Sequence, residues 1–166
     1  GTGNTGSWDA EGNSSWTASD GSSGSYNADG SYSYTYSDGA SESMDSNGNY
    51  TVTDADGNVV EGFDAATGEY HNADGSTDLF NEDGSSVHTD PDGTAHTYNP
   101  DGSGSVAYAD GSSEVWSAEG DYSYQGADGS SYSYAADGSG SWNDGQGNSN
   151  TWGADDSYAN TYADGS

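Results

Sequence analysis

Residues 121–138 read DYSYQGADGSSYSYAADG, and their symmetry decides the fold. Asp128 lies between Ala127 and Gly129, with tyrosine and serine alternating on both sides. Asp-Gly between two alternating segments is a strong short-range hairpin signal. The loop Ala-Asp-Gly suits a type I turn followed by glycine in the left-handed region, which a side chain would disfavour. Reflecting the stretch through Asp128 sets Tyr124 opposite Tyr132 and Tyr122 opposite Tyr134. Side chains alternate faces along a strand, so all four rings fall on one face.

The same unit repeats along the chain. Gly recurs every nine residues from Gly3 to Gly165, and the series deviates at Ala66 and Asp156. The residue before Gly is usually acidic. Ala, Ser or Pro comes before it, and Ser, Asn or Thr follows the Gly. Pro91 and Pro100 stand where proline presets φ for the turn. About six residues remain per repeat for a strand.

Reflection through each Asp preserves residue parity, so a continuous meander should carry one parity on one face. All 14 Tyr and all 5 Trp are even-numbered, as is Phe80; Phe63 alone is odd. Chance does not produce this with an odd repeat length. The predicted fold is all-β, a long antiparallel β-meander of about 18 short strands. Further predicted pairs are Tyr26 with Tyr32, Trp116 with Tyr122, and His88 with His96. A competing fold is a parallel β-solenoid with an 18-residue coil, which would stack Trp8, Tyr26, Met44, Phe80, Tyr98, Trp116, Tyr134 and Trp152. Its inward residue should recur every nine residues, whereas the aromatic spacing alternates near eight and ten.

The repeat organises residues 1–166 as a single domain with an irregular zone at 57–71. There Asp-Gly is replaced by Ala65-Ala66, and Val59, Phe63, His71, Leu79 and Val87 are expected to put bulk on the odd face. The zone reads as a degenerate repeat, or else as a second packing surface.

Composition bounds what such a sheet can do. The chain has 29 acidic residues, no Lys, no Arg and no Cys, for a formal charge of −29. Only 28% of residues are hydrophobic, too few to build an ordinary aliphatic core. The charge excludes the cationic surface that nucleic acid needs, and it opposes anionic membranes. No apolar run approaches membrane-spanning length. Without Cys there is no disulfide framework. Trypsin-like proteases find no cleavage site, which suits extracellular life.

One face is a carpet of rings that a single sheet cannot hide, and exposed apolar patches of that size mark interaction surfaces. The expected assembly face comprises Trp8, Trp16, Tyr26, Tyr34, Tyr98, Trp116, Tyr124, Tyr134, Trp142, Trp152, Tyr158 and Tyr162. Unguarded edges near Trp8 and Tyr162 invite strand pairing between copies. A repeat in phase to Ser166 adds to that expectation. The turn carboxylates Asp29, Asp38, Asp74, Asp83, Asp92, Asp101, Asp110, Asp128 and Asp137 line the margins. They read either as Ca²⁺ ligands or as turn formers that confer solubility. Asp precedes Gly and Gly-Gly never occurs, so the calcium-binding RTX nonapeptide is not the match. His88 and His96 read as a metal or pH-sensitive pair, or as occupants of aromatic slots. Asn13-Ser14-Ser15 and Asn49-Tyr50-Thr51 fit the N-glycosylation pattern. Ser, His and Asp occur without any specific spacing, so no enzyme is predicted.

The turns His88-Thr89-Asp90-Pro91-Asp92-Gly93-Thr94 and Tyr98-Asn99-Pro100-Asp101-Gly102-Ser103 resemble the G-box repeat domain of centriolar assembly proteins. The resemblance covers most of the chain in period and turn motif. It implies a single-layer, solvent-exposed antiparallel sheet with assembly and peptide-partner roles. From the residues themselves, the expected function is a self-assembling subunit of an extracellular or cell-surface filament whose partners are its own copies. The alternative is a secreted adhesin stalk that binds Ca²⁺ or glycan.

Overall fold

The computed structural model describes residues 3–164. Gly165, the last glycine of the repeat series, and Ser166 lie outside the described residues, as do Gly1 and Thr2. The fold is an all-β antiparallel meander of 18 short strands. The chain divides into two compact units, Gly1–Leu79 and Phe80–Ser166.

In the first unit the strands are β1 (Thr5–Trp8), β2 (Ser14–Thr17), β3 (Ser23–Tyr26), β4 (Tyr32–Thr35), β5 (Ser41–Met44), β6 (Tyr50–Thr53), β7 (Val59–Asp64) and β8 (Glu69–His71), and β9 (Thr77–Phe80) ends at the boundary. In the second they are β10 (Ser86–Thr89), β11 (Ala95–Tyr98), β12 (Gly104–Ala107), β13 (Ser113–Trp116), β14 (Tyr122–Gln125), β15 (Ser131–Tyr134), β16 (Gly140–Asn143), β17 (Ser149–Trp152) and β18 (Tyr158–Thr161). Within each unit, each strand pairs antiparallel with the next. The parallel solenoid is therefore excluded.

The turn prediction holds in detail. In the loop after β3, the Gly30 amide donates to the Asn27 carbonyl at 2.9 Å, and the Asn27 amide donates to the Ser31 carbonyl at 2.9 Å. These bonds close a three-residue loop, with Gly30 at φ 87. Asp29 Oδ1 accepts from the Ser31 amide at 2.9 Å and from the Ser31 hydroxyl at 2.7 Å. Asp-Gly-Ser is thus a self-bonding unit in which Asp satisfies the donors its own turn leaves open. At one position where the series lacks Gly, Asp156 adopts φ 63, a region Asp tolerates better than most residues.

Two side-chain codes close the loops. Where a loop begins with Asn, Ser closes it: Asn72 Nδ2 donates to Ser76 Oγ at 3.0 Å, and Asn99 Nδ2 to Ser103 Oγ at 2.9 Å. Where it begins with Asp9, Asp45, Asp54 or Asp144, Asn closes it: the Asn58 amide and Nδ2 both donate to the Asp54 carboxylate at 2.9 Å, whereas Thr94 closes the loop that begins with Asp90. Within a unit, loops that share a margin are also tied to each other. The amides of Ala28, Ala65 and Ala163 donate to the side chains of Asn13, Asn49 and Asn148 at 3.0, 2.9 and 3.0 Å.

The predicted face holds throughout the regular hairpins. The register sets Tyr26 opposite Tyr32, Tyr122 opposite Tyr134, Tyr124 opposite Tyr132, Trp116 opposite Tyr122 and His88 opposite His96. Phe63 corrects the expectation of bulk on the odd face. The β6–β7 register shifts between Val52 and Thr53, so Thr53 faces Val59 while Val52 faces Glu61 and Tyr50 faces Phe63. The bulge moves Phe63 to the side of Tyr50 and Tyr70, whose ring lies 4.7 Å from its own. Gly68, rather than residue 66, takes the positive φ of the following turn. Leu79 stays opposite Glu69, and Val87 stays opposite Thr97, on the odd face.

Among the described residues, Val106 at 7% exposure is the one buried apolar side chain. In place of a core, indoles lie across glycines. Trp16 faces Gly24, Trp116 faces Gly104 and Trp152 faces Gly140. A Cβ on Gly24 would stand 2.6 Å from Trp16 Nε1, and one on Gly104 2.8 Å from Trp116 Cε2. The missing side chain leaves a slot that the neighbouring ring fills, which restores apolar contact to a strand that glycine weakens.

Candidate protein-interaction surface

The glycine slots let rings from alternate strands meet. Trp16 and Tyr34 have centroids 5.3 Å apart across Gly24. Tyr98 and Trp116 are 6.3 Å apart across Gly104. Tyr34 also meets Tyr36 at 4.5 Å, and Tyr132 meets Trp152 at 6.0 Å. All these pairs are tilted, and none is the face-to-face sandwich that ring quadrupoles disfavour.

Within the first unit, the predicted assembly residues Trp8, Trp16, Tyr26 and Tyr34 share this face. Trp8 is 86% exposed and Tyr26 55%. Within the second unit, Tyr98, Trp116, Tyr124, Tyr134, Trp142, Trp152 and Tyr158 share it, and Tyr158 is 68% exposed. Tyr162 is exposed just beyond β18. The rings pack against one another at a tilt while many of them stay exposed to solvent.

The nine turn carboxylates serve their own loops. Asp29, Asp74, Asp83, Asp101, Asp110 and Asp137 each accept the amide and hydroxyl of the serine two residues on. Asp38, Asp92 and Asp128 accept the amides of Ala40, Thr94 and Ser130. At Asp29, Asp83, Asp101, Asp110, Asp128 and Asp137 the serine hydroxyl, then the backbone amide, holds the carboxyl below its ordinary range. At Asp92 the Thr94 amide leads. Among the described residues, no three His, Asp or Glu side chains gather as a metal site. His88 and His96 flank one carboxylate: Asp90 Oδ1 lies 3.3 Å from His88 Nε2, and Asp90 Oδ2 lies 2.9 Å from His96 Nε2.

Two carboxylates escaped the sequence reading. Glu42 and Glu114 stand on the ring face: Glu42 is opposite Tyr34 and Glu114 opposite Tyr124. Tyr50 donates its hydroxyl to Glu42 at 3.3 Å, and Tyr108 donates to Glu114 at 2.8 Å. They were legible as the two even-numbered glutamates within strands.

A meander of glycine-punctuated hairpins with an open aromatic face defines a class of solvent-exposed, single-layer repeat domains. No family model and no curated protein matches the chain. Solved structures do. The wild-type TCP10 domain of Danio rerio CPAP aligns with TM-score 0.56 over 97% of this chain and 95% of that one, at 18% identity. The G-box domain of the microcephaly protein CPAP, whose structural analysis suggests a role in centriole elongation, aligns with TM-score 0.51 over 96% and 99%, at 20% identity. The Danio rerio domain has also been solved in complex with a peptide of Danio rerio STIL, in a structure that aligns at TM-score 0.35 over 96% and 98%, at 18% identity. At these identities the likeness is one of fold, and it is the fold that the turn motifs resembled.

These matches correct the expected setting. The extracellular or cell-surface filament, the secreted adhesin stalk and the extracellular localisation do not stand against these matches, which are to domains of CPAP, one of them analysed for a role in centriole elongation. Lack of trypsin sites and a charge of −29 describe solubility and protease resistance, and neither specifies a compartment.

Proposed function

We propose that this chain is a non-catalytic, protein-binding scaffold that works inside the cell and engages its partner through the aromatic face. One observation carries the reading: large rings stay exposed on a single face in each unit, while Val106 is the sole buried apolar side chain among the described residues. A patch of that kind is costly to leave in water and is characteristic of an interaction surface. Tyr and Trp supply large contact area at low conformational cost. The setting is supported by the centriolar examples of the fold.

The test replaces Tyr26, Tyr98, Tyr134 and Tyr158 by Ser and compares partners recovered from a cell extract by quantitative mass spectrometry. Circular dichroism confirms that the sheet persists. Proteins recovered by the parent and lost by the variant support the scaffold. Identical recovery by both would sink it. Sedimentation equilibrium of the purified chain reads whether the partner is a second copy, and a glycan array reads whether sugars stack on the same rings.

A further inference from the structure

Each unit holds the same four-part box on its ring face. In the first, Glu42 accepts from the hydroxyl of Tyr50 and interacts with that of Tyr36, and Tyr34 stands directly opposite. In the second, Glu114 accepts from Tyr108 and interacts with Tyr122, and Tyr124 stands directly opposite. The counterparts Tyr36 and Tyr108, Glu42 and Glu114, and Tyr50 and Tyr122 are offset by one and the same number of whole repeats. The remaining neighbour is valine in both, Val52 beside Glu42 and Val106 beside Glu114. Ring and valine exchange sides between the boxes, so the immediate neighbours are reproduced; beyond the valines the rows differ, with Glu61 facing Val52 and His96 facing Val106.

Each box is an anion without a cation. The glutamates are half-buried among rings, and the chain has no Lys or Arg to pair with them. Two phenols use part of each carboxylate's acceptor capacity; about two lone-pair directions remain. Tyr50 and Tyr122 lose solvent beside the carboxylate, which adds its own charge and hydrogen bond, and both phenols are pushed up and stay neutral donors. The ring faces add a negative quadrupole. A planar, weakly hydrated cation fits this environment best, because it can bond the carboxylate while stacking on tyrosine.

We propose that the Glu42 and Glu114 boxes are binding sites for the guanidinium of an arginine in a basic peptide segment. This rests on the scaffold reading and names the chemistry of its partner. The surrounding charge of −29 draws such a segment in, and the boxes choose where its arginines seat.

The experiment titrates the whole chain with a capped Gly-Gly-Arg-Gly-Gly peptide at about 150 mM salt, following tyrosine ring resonances by NMR. The same peptide with citrulline replacing arginine is the neutral control. The expected result is shifts at Tyr36, Tyr50, Tyr108 and Tyr122 with arginine and none with citrulline. The double variant Glu42→Gln, Glu114→Gln should weaken binding about fivefold. The variant Glu11→Gln, Glu119→Gln, which removes the same charge from exposed loops, should stay within about twofold. Equal weakening by both variants, equal binding of the citrulline peptide, or silent boxes would overturn the assignment. Shifts confined to Tyr26, Tyr98 and Tyr158 would remove the boxes yet leave the scaffold standing. The map on the unaltered chain decides the matter even if a variant folds poorly.

Discussion

The β14–β15 hairpin and the β6–β8 segment keep their rings on one face by different means. In the first, the three-residue loop after Gly126 reflects the chain, and Tyr122 and Tyr124 meet Tyr134 and Tyr132 with no slip. In the second, Asp64 faces Glu69 across the four residues Ala65, Ala66, Thr67 and Gly68. A loop of even length alone would turn the rings to the other side. The β6–β7 bulge adds one more slip of a single residue. The two cancel, and Tyr70 rejoins the face beside Phe63. What the chain retains is the face and not the nine-residue phase.

The largest effect should come from imposing an uncompensated slip on the regular hairpin. Deleting Ser123 puts Tyr122 or Tyr124 on the wrong side and breaks one or two cross-strand ring pairs and part of the ladder. Pairs at up to ~1 kcal/mol each and hydrogen bonds at ~1 kcal/mol each give a loss of roughly 3 kcal/mol. Urea unfolding measures it, and an unchanged midpoint would break the parity argument.

A second contrast uses glycine. Gly104→Ala drives a methyl to 2.8 Å from Trp116 Cε2 and 2.5 Å from the Thr97 carbonyl oxygen. Overpacking of this kind costs about 1–3 kcal/mol. At Gly62, in the bulged strand, the nearest atom is the Tyr50 carbonyl oxygen at 3.3 Å. Gly62→Ala should cost clearly less, since its neighbours need yield only slightly. Adding Trp116→Val should recover part of the Gly104→Ala loss and little of the Gly62→Ala loss. Additive double mutants would show that the indole does not occupy a glycine slot.

A third, smaller effect follows from the loop carboxylates. The Asp128 carboxyl is depressed, chiefly by the Ser130 hydroxyl. A depressed carboxyl contributes stability that is present above its ordinary value of 3.8 and lost as pH falls through the lower folded value. Protonation also relieves repulsion among the 29 acids, which acts in the opposite sense. The comparison of parent with Asp128→Ala between about pH 5 and pH 2 isolates the loop contribution. The variant should lose less on acidification than the parent. Parallel acid profiles would mean that the carboxylate does not hold its loop.

Much of this was legible because each hairpin is local. Tyr124 and Tyr132 are joined by one loop, and the loop's residues carry its geometry. Phe63 was misread because parity presumes unbroken register, and a bulge is settled by how β7 meets β6. The Trp116 and Gly104 contact was readable in principle, as both follow from the register, but its packing appears only when the indole is placed. Glu42 and Glu114 were visible as even-numbered strand residues. Their meaning depends on diagonal tyrosines, which numbering does not rank. The turn aspartates stand in the loops as expected, and the bonds they accept from the residue two positions on show how each serves its own loop.

The smallest predicted effect sharpens the comparison most. Val60 is the residue passed over when Thr53 faces Val59 and Val52 faces Glu61. Its deletion should straighten β7 while leaving each of those pairs in place, and Phe63 should still face Tyr50. No ring changes sides and no described cross-strand pair is lost, so the change belongs with surface substitutions, within about 0.5 kcal/mol. The twist that the bulge adds locally would be reduced, which hydrogen exchange at Thr51 and Gly62 would register. Deleting Val60 and deleting Ser123 each remove one residue from a strand, yet they should differ by most of the stabilisation of a hairpin. Two deletions equally damaging would mean that the nine-residue phase itself is what holds this sheet together.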